Sequence, residues 1–231
     1  MQKSQTINEA RMKKIISFCL WGNNPKYCVG AIRNSELSKI IYPEWISRFY
    51  VHHETSDDVK NKLIENGAEV LLVNEEIGNW SSMFWRFNPH QDDNVEAFIC
   101  RDTDSRLNER ERDAVSSWMN SDKDVHIMRD HPYHGYAMLG GMIGFKRTSF
   151  PILKDSLNKF SPENRYGTDY EFFHHILFPS IRHKALVHDE FFENKNFPTL
   201  RNGDVFVGQV FDENENTVHE HLEALKASIK K

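Results

Sequence analysis

Three kinds of feature are scarce in this sequence, and each scarcity excludes a class of protein. The longest apolar run, Ile15 to Trp21, falls far short of the roughly 20 residues that a transmembrane helix needs. Basic residues are not in excess, because 29 Lys and Arg stand against 34 Asp and Glu, and this balance disfavours nucleic acid as a partner. The odd set of three cysteines favours a reducing, cytoplasmic location over a disulfide framework.

The size and composition indicate one globular domain. The chain has 231 residues, of which 39% are hydrophobic and 27% are charged, and this is enough for a full core without disulfides. The segment 1–13 carries lysines but lacks the apolar stretch of a signal peptide. We therefore expect a polar N-terminal extension over 1–13 and one domain over 14–231. Within this domain the pattern of strands and helices changes between 107 and 108.

The first half of the domain alternates apolar runs with helical patterns. Four runs have the length and composition of buried strands, at 14–21, 48–52, 69–73 and 95–100. Between the first two, the spacing of apolar residues predicts a helix that buries Ile40 and ends before Pro43. This order predicts an α/β fold with a mainly parallel sheet flanked by helices. In such sheets ligands bind beyond the carboxyl ends of the strands.

Capping signals divide the second half. Asn108 with Glu111, and Thr168 with Glu171, have the spacing of capping boxes and predict helix starts. Further strands are expected at 125–128 and 185–187.

Two carboxylates follow the fourth strand, in the sequence Asp102-Thr103-Asp104. A DxD of this kind arises about once by chance in a chain of this composition, so its position carries the weight. On an extended backbone, side chains two residues apart project the same way and can face one cation. Mg²⁺ and Mn²⁺ prefer such oxygen ligands. The alternative is that Asp102 caps the turn and that Asp104 pairs with Arg101 or Arg106.

The run from Phe98 to Leu107 resembles the DxD segment of GT-A nucleotide-sugar glycosyltransferases, especially a small bacterial and viral-type group. Counterparts of this group's motifs lie throughout the chain, at 20–22, 84–87, 126–132, 139–142, 166–169, 187–189 and 206–210. The resemblance covers about Lys14 to Asp212.

This resemblance implies a single-domain GT-A, Rossmann-like fold, in which 14–107 is the nucleotide-binding half and 108–231 is the acceptor-side half. It implies transfer of a sugar from a nucleoside-diphosphate sugar to a hydroxyl of a glycan, glycolipid or other acceptor. It also implies Mn²⁺ or Mg²⁺ as cofactor, with Asp104 as a ligand and Asp102 on the ribose or the metal. His188 matches the late histidine that completes such a site, although a half-buried histidine at a strand end is an equally good reading.

Several residues are expected to bind the nucleotide sugar beside Asp102: Trp21, Gly22, Tyr27, Tyr50, Arg86 and Arg106. The aromatic rings would stack on the base or line the same wall, and the guanidinium groups suit phosphate oxygens. The alternatives are a core role for the aromatic rings and a stacking role for Arg86.

Asp169 is the candidate catalytic base, and Asp130 is the reserve. An inverting transfer, which is favoured over a retaining one, needs a carboxylate to accept the proton of the attacking hydroxyl. Gly140 and Gly141 are expected beside Asp169 on the acceptor side. Alternatively, Asp169 only stabilises a first helical turn, which would depress its pKa; a retaining enzyme would need no base.

Two other classes of function stay open. A magnesium-dependent phosphohydrolase or nucleotidyltransferase also uses carboxylates at a strand end. However, the loop Trp21-Gly-Asn-Asn-Pro25 is poor in the glycine and basic residues of a phosphate loop. An inactive sugar-binding module is the other alternative.

Overall fold

The computed structural model describes residues 12–75 and 78–229. Most of the predicted extension therefore lies outside the described residues, and Lys13 already belongs to the first strand. Of the helices in the described ranges, none combines the length and apolarity that crossing a bilayer would require.

The chain alternates strands and helices as predicted. The strands are β1 (Lys13–Leu20), β2 (Ile46–His52), β3 (Glu69–Val73), β4 (Val95–Cys100), β5 (Val125–Arg129), β6 (Ile143–Lys146) and β7 (Ala185–Asp189). The α-helices are α1 (Pro25–Ile41), α2 (Asp57–Glu65), α3 (Glu109–Met119), α4 (Phe150–Leu157), α5 (Thr168–Glu171), α6 (Phe178–Ile181) and α7 (His219–Ile229). A long 3₁₀ helix covers Trp80–Gln91, and a π-helical segment, Phe172–Leu177, joins α5 to α6.

One sheet holds the seven strands in the order β3-β2-β1-β4-β6-β5-β7. Strand β6 is antiparallel to both neighbours, while the other pairs are parallel. This mixed, mainly parallel sheet confirms the predicted α/β fold. The carboxyl ends of β1, β2 and β4 meet at one edge, because these strands are parallel neighbours.

Helices cover both faces of the sheet. Phe18 and Ile99 belong to an apolar cluster that includes Trp118 of α3. Phe98, next along β4, belongs to a second cluster with Phe172. Successive residues of a strand point to opposite faces, so each cluster is the core on one side of the sheet.

Small residues let α1 approach the DxD turn closely. The side chain of Asn24 caps the helix by accepting from the Lys26 N–H. The helix ends at Ile41, as predicted, but Ile40 is exposed. The buried face instead carries Gly30, where a Cβ would lie 2.0 Å from the Thr103 carbonyl oxygen. Close backbone packing here outweighs the apolar pattern.

The two predicted capping boxes have different outcomes. Asn108 accepts from the Glu111 N–H as predicted, but the Glu111 carboxylate turns to Arg101. The prediction for Thr168 is wrong, because Gly167, with φ of +80°, is the residue that precedes α5. The Thr168 hydroxyl accepts from the Glu163 N–H instead.

Candidate active site

The DxD forms a tight turn at the end of β4. The Ser105 N–H and hydroxyl both donate to the Asp102 carbonyl oxygen, at 3.3 and 2.9 Å. The expected extended backbone is therefore wrong, because this turn reverses the chain. Burial and the nearby charge of Asp102 both raise the pKa of Asp104. The charge of Asp102 thus disfavours the charged form of Asp104.

Two cations engage the DxD carboxylates. Lys26 Nζ lies 2.7 Å from Asp104 Oδ2, and Arg86 Nη1 donates to Asp102 Oδ1 at 2.7 Å. The alternative pairing of Asp104 with Arg101 or Arg106 does not occur. Arg101 pairs with Glu111, and Arg106 pairs with Glu215, which lies near the start of α7.

Asp169 completes what we call the charged cluster: Lys26, Arg86, Asp102, Asp104 and Asp169. A Cβ on Gly140 would lie 2.7 Å from Arg86 Nη1 and 3.1 Å from Asp169 Oδ2, so both side chains reach one point. Three carboxylates against two cations leave the charged cluster with one net negative charge. A bound diphosphate would therefore need further positive charge.

The carboxylates of the charged cluster suit a hard divalent cation. The side chains of Asp102 and Asp104 are 46% and 18% exposed, and each has one oxygen outside its ion pair. In the described part of the chain, no group of three or more His, Cys, Asp or Glu forms a ready-made metal site. The remaining ligands would have to come from substrate phosphates and water, as is usual for Mg²⁺.

Gly140 and Gly141 make room for the charged cluster. They begin a short 3₁₀ turn, Gly140–Met142, ahead of β6. A Cβ on Gly141 would lie 2.1 Å from Asp102 Oδ2, well inside contact distance. Their visible role is thus to let backbone pass against Asp102 and Arg86, and acceptor binding by these glycines stays a prediction.

Asp169 lies in the first turn of α5 and is buried. Burial raises its pKa, Arg86 opposes that rise, and Asp102 adds to it. The expected depression by the helix terminus is therefore wrong, because loss of hydration has the larger effect. A carboxylate whose pKa is raised accepts a proton more readily than an ordinary one.

Trp21 and Gly22 follow the last residue of β1, and Tyr27 lies next to Lys26 in the first turn of α1. The Tyr27 ring is half-buried, with Lys26 Nζ 5.2 Å from its centroid. The Gly22 carbonyl accepts from the Thr55 hydroxyl. Nucleotide contacts by these residues are compatible with their positions and stay predictions.

Tyr50 does not line an open wall. It is buried with Cys19 and Trp85 beneath Trp21. Burial raises the pKa of its hydroxyl to about 12. The core alternative therefore holds for this ring, since β2 is covered by the 3₁₀ helix that carries Trp85.

Arg106 is also committed elsewhere. Its guanidinium binds Glu215 at 2.6 Å and the carbonyl oxygens of Thr103 and Ser105. It also lies over the Phe211 ring. The predicted diphosphate contact is therefore not available in this arrangement, in which Arg106 ties the DxD turn to the C-terminal segment.

Asp130 is a structural anchor, so its prediction as reserve base is wrong. Both of its oxygens accept from Arg110, and they also accept from Arg201 and from the Val207 N–H. The side chain is fully buried. With its oxygens engaged in this way, it cannot reach an acceptor hydroxyl.

His188 makes its contacts away from the DxD. Its Nδ1 lies 2.8 Å from His126 Nε2, and its ring packs on Phe197. Burial and the charge of Arg110 lower its pKa to about 4. Two strands separate β7 from β4, a distance of roughly 14 Å at the usual spacing. Metal ligation by His188 stays a prediction, and none of these contacts supports it.

Lys26 is the functional candidate that sequence reasoning missed. The available signal was a cation in the first turn of the helix after β1, two residues beyond Asn24.

A cavity of about 640 Å³, lined by residues such as Phe84, His90 and Lys154, contains no member of the charged cluster. We therefore locate the candidate site by its charged groups and not by cavity size.

Comparison with known proteins identifies the fold and no closer relationship. No protein-family model matches the chain, and no curated protein matches it. Among solved structures, 4-diphosphocytidyl-2C-methyl-D-erythritol synthase from Anaerococcus prevotii matches at a TM-score of 0.51 with 12% identity. The match covers 95% of this chain and 99% of that one.

Two glycosyltransferase structures match more weakly. A glycosyltransferase involved in glycosylation of the major capsid of PBCV-1 matches at a TM-score of 0.48 with 14% identity, over 78% of this chain and 83% of that one. Glucosyl-3-phosphoglycerate synthase from Mycobacterium tuberculosis, in complex with Mn²⁺, UDP-glucose and phosphoglyceric acid, matches at 0.45 with 14% identity, over 76% and 69%. At these TM-scores the two likenesses carry no weight for activity. The chain shares the α/β fold of the synthase, which is the fold class expected from the sequence.

Proposed function

We propose that this protein is a metal-dependent glycosyltransferase that moves a sugar from a nucleoside-diphosphate sugar to a hydroxyl of a glycan or glycolipid. The observation that carries the proposal is the charged cluster. Three carboxylates and two cations converge at the carboxyl end of β4, the edge where α/β sheets bind their ligands.

Asp102 and Asp104 would hold Mn²⁺ or Mg²⁺ through the oxygens that are free of their ion pairs. Such an ion supplies charge stabilisation to a departing diphosphate. Lys26 and Arg86 lie next to the same carboxylates and can turn to phosphate oxygens. Lys26 thus replaces Arg106 as the second cation for the diphosphate.

Trp21, Gly22 and Tyr27 would bind the nucleoside. Trp21 and Gly22 directly follow β1, Tyr27 lies against Lys26, and an aromatic ring at this edge of the sheet can stack on a base. The identity of the base follows from none of these contacts.

Asp169 would accept the proton of the acceptor hydroxyl. Its raised pKa and its position beside Arg86 support this role, since a base works best when its pKa approaches the working pH. The attacking oxygen would then form the new bond as the diphosphate leaves, which inverts the configuration at the anomeric carbon. A cytoplasmic location rests only on the three free, buried cysteines and stays a prediction.

A panel of nucleotide sugars tests the proposal. With Mn²⁺ present, we expect slow hydrolysis of one donor to the nucleoside diphosphate and sugar, accelerated by the correct acceptor. Release of pyrophosphate from a nucleoside triphosphate would indicate a nucleotidyltransferase instead. Hydrolysis of simple phosphate esters would indicate a phosphohydrolase, and donor binding without turnover would indicate a binding module.

Asp104→Ala tests the metal role directly. We expect turnover to fall by at least about a hundredfold, because several kcal/mol of charge stabilisation would be lost. Metal-dependent donor binding should disappear, while the melting temperature should change by only about a few degrees. Asp122→Ala is the matched control, because Asp122 stands in a second Asp-x-Asp sequence, Asp122-Lys123-Asp124, and its side chain is 87% exposed. Unchanged turnover of Asp104→Ala would contradict the assignment.

A further inference from the structure

Four aromatic side chains, which we call the aromatic row, line up beside the charged cluster: Trp80, Tyr166, Tyr170 and Tyr136. Tyr166 meets Trp80 edge-on at 5.2 Å between ring centroids and Tyr170 at 6.3 Å. Tyr136 stacks on Tyr170 at 4.6 Å. The rings come from three separate segments of the chain, so only the fold brings them together.

The aromatic row is open to solvent. Trp80 is 36% exposed, Tyr136 54% and Tyr166 69%. Contact between several large apolar rings and water is unfavourable in free energy, and such exposed patches usually mark a binding surface. Two of the three ring contacts are edge-on and the third is stacked, so the aromatic row offers apolar ring surfaces in more than one orientation, together with hydroxyl groups.

The aromatic row connects with both halves of the proposed active site. Tyr166 and Tyr170 bracket Asp169 along the chain. At the other end, Trp80 meets Trp21 edge-on at 6.2 Å, and Trp21 follows the last residue of β1. A ligand lying along the aromatic row would therefore extend from the candidate base towards the donor side.

The charges around the aromatic row favour an uncharged ligand. Arg165, the neighbouring cation, forms ion pairs with Glu163 and Glu171. Asp169 adds a negative charge from within the site. An anionic polymer would meet carboxylates here, while the nearby cations Arg165, Lys26 and Arg86 already pair with carboxylates.

We propose that the aromatic row binds a neutral oligosaccharide, which is the acceptor of the transfer. This inference rests on the proposed function and names the acceptor class. Pyranose rings present C–H faces that pack on the electron-rich faces of aromatic rings. Their hydroxyl groups can exchange hydrogen bonds with the tyrosine hydroxyls, which both donate and accept. A sugar hydroxyl at the inner end would lie beside Asp169.

The test uses the full chain on an array of linear neutral oligosaccharides of hexoses and N-acetylhexosamines, with acidic glycans and single-stranded nucleic acid printed alongside. We expect binding to at least one neutral chain. Trp80→Ala and Tyr166→Ala should each weaken it by about tenfold or more, as removal of a central aromatic contact does. Tyr166→Phe should retain most of the binding, because the ring remains.

Tyr133→Ala is the matched control, since Tyr133 is an exposed tyrosine outside the aromatic row and should leave binding unchanged. Circular dichroism and melting of each variant exclude unfolding. Failure to bind any neutral chain would overturn the inference. Binding that Trp80→Ala and Tyr166→Ala leave intact, or binding only to the acidic glycans or nucleic acid, would also overturn it.

A separate measurement distinguishes this failure from failure of the proposed function. Titration of UDP and GDP in the presence of Mn²⁺, on the wild-type protein and on Asp104→Ala, examines the donor site alone. Nucleotide binding without oligosaccharide binding would contradict the inference about the aromatic row but would agree with the proposed transferase function. Oligosaccharide binding without nucleotide binding would support the aromatic row and contradict the transferase.

Discussion

Lys26 is already bound to Asp104, which the proposed function makes a metal ligand. The ion pair at 2.7 Å partly neutralises the carboxylate, so a metal ion arriving without substrate must compete with a resident ammonium group. Once a diphosphate is present, Lys26 has an alternative anionic partner. The pair therefore couples metal binding to donor binding.

Lys26→Met should strengthen Mn²⁺ binding to the substrate-free protein by about two- to fivefold, the value of a partly exposed ion pair. The same variant should bind the nucleoside diphosphate more weakly, because a phosphate partner is lost. Titration of Mn²⁺, followed by electron paramagnetic resonance, measures the first effect. Lys62→Met, which breaks an exposed pair with Asp58, is the control. Weaker or unchanged Mn²⁺ binding in Lys26→Met would contradict the competition.

His188 makes stability depend on pH. Burial, with a further contribution from Arg110, lowers its pKa from 6.5 to about 4. The folded state therefore favours the neutral imidazole. The resulting contribution of His188 to the free energy of unfolding is complete above about pH 6.5 and is lost as the pH falls towards 4. Between about pH 7.5 and about pH 5 we expect the free energy of unfolding to drop by about 1–2 kcal/mol from this residue.

Urea denaturation of wild type and His188→Asn at several pH values measures that drop. Asparagine can keep a hydrogen bond to His126 but does not titrate, so the pH dependence should flatten by the same amount. His174→Asn, at an exposed position, should leave the dependence unchanged. Parallel curves for wild type and His188→Asn would show that His188 titrates normally.

At the scale of elements, glycines decide how closely backbone approaches the charged cluster. The 3₁₀ turn Gly140–Met142 lies against Asp102, and α1 lies against the DxD turn through Gly30. A Cβ added at Gly30 or Gly141 would lie 2.0 or 2.1 Å from the opposing oxygen, closer than any side chain could approach. The turn and the helix thus hold the DxD from two directions.

Gly141→Ala should displace Asp102, because its Cβ would lie 2.1 Å from Oδ2. Metal-dependent binding of the nucleoside diphosphate should fall by about tenfold or more, comparable with loss of a ligand-orienting contact. Calorimetric titration measures it. In the control Gly135→Ala, the Cβ comes no closer than 3.8 Å to Phe192, so binding should be unaffected. Wild-type affinity for the nucleoside diphosphate in Gly141→Ala would show that the 3₁₀ turn can shift to accommodate a Cβ without displacing Asp102.

At the scale of the whole molecule, a buried ion network joins distant parts of the chain. Arg110 of α3 binds Asp130, just after β5, and Glu190, just after β7. Arg201 binds the same two carboxylates from the C-terminal segment. This network fixes the segment that returns to the DxD turn, where Val210 bridges Ser105.

Asp130→Asn should lower the free energy of unfolding by about 3 kcal/mol, because it removes the fully buried one of the two carboxylates that Arg110 and Arg201 share. The same denaturation experiment on the exposed Asp122→Asn should show little change. A loss below about 1 kcal/mol would contradict a buried network, since that is the value of an exposed pair. Retained donor hydrolysis in Asp130→Asn, scaled to the folded fraction, would agree with a structural role.

Much of the fold follows from local patterns. The runs at 48–52, 69–73 and 95–100 are strands with nearly those bounds, because apolar runs and turn residues are read within a few positions. Strand β6 was not predicted. Its four residues, which follow two glycines, are too few to show the alternating pattern of a strand. The strand forms because β4 and β5 both pair with it.

The sequence alone determined the order of strands and helices and the position of two carboxylates at the end of β4, since both depend on neighbours along the chain. Tertiary structure alone decided which charged groups meet. Asp130 and Arg106 are buried in ion pairs, Lys26 reaches Asp104, and four aromatic rings from three segments form one surface. These outcomes depend on burial and on contacts between residues far apart in the chain, which no local pattern specifies.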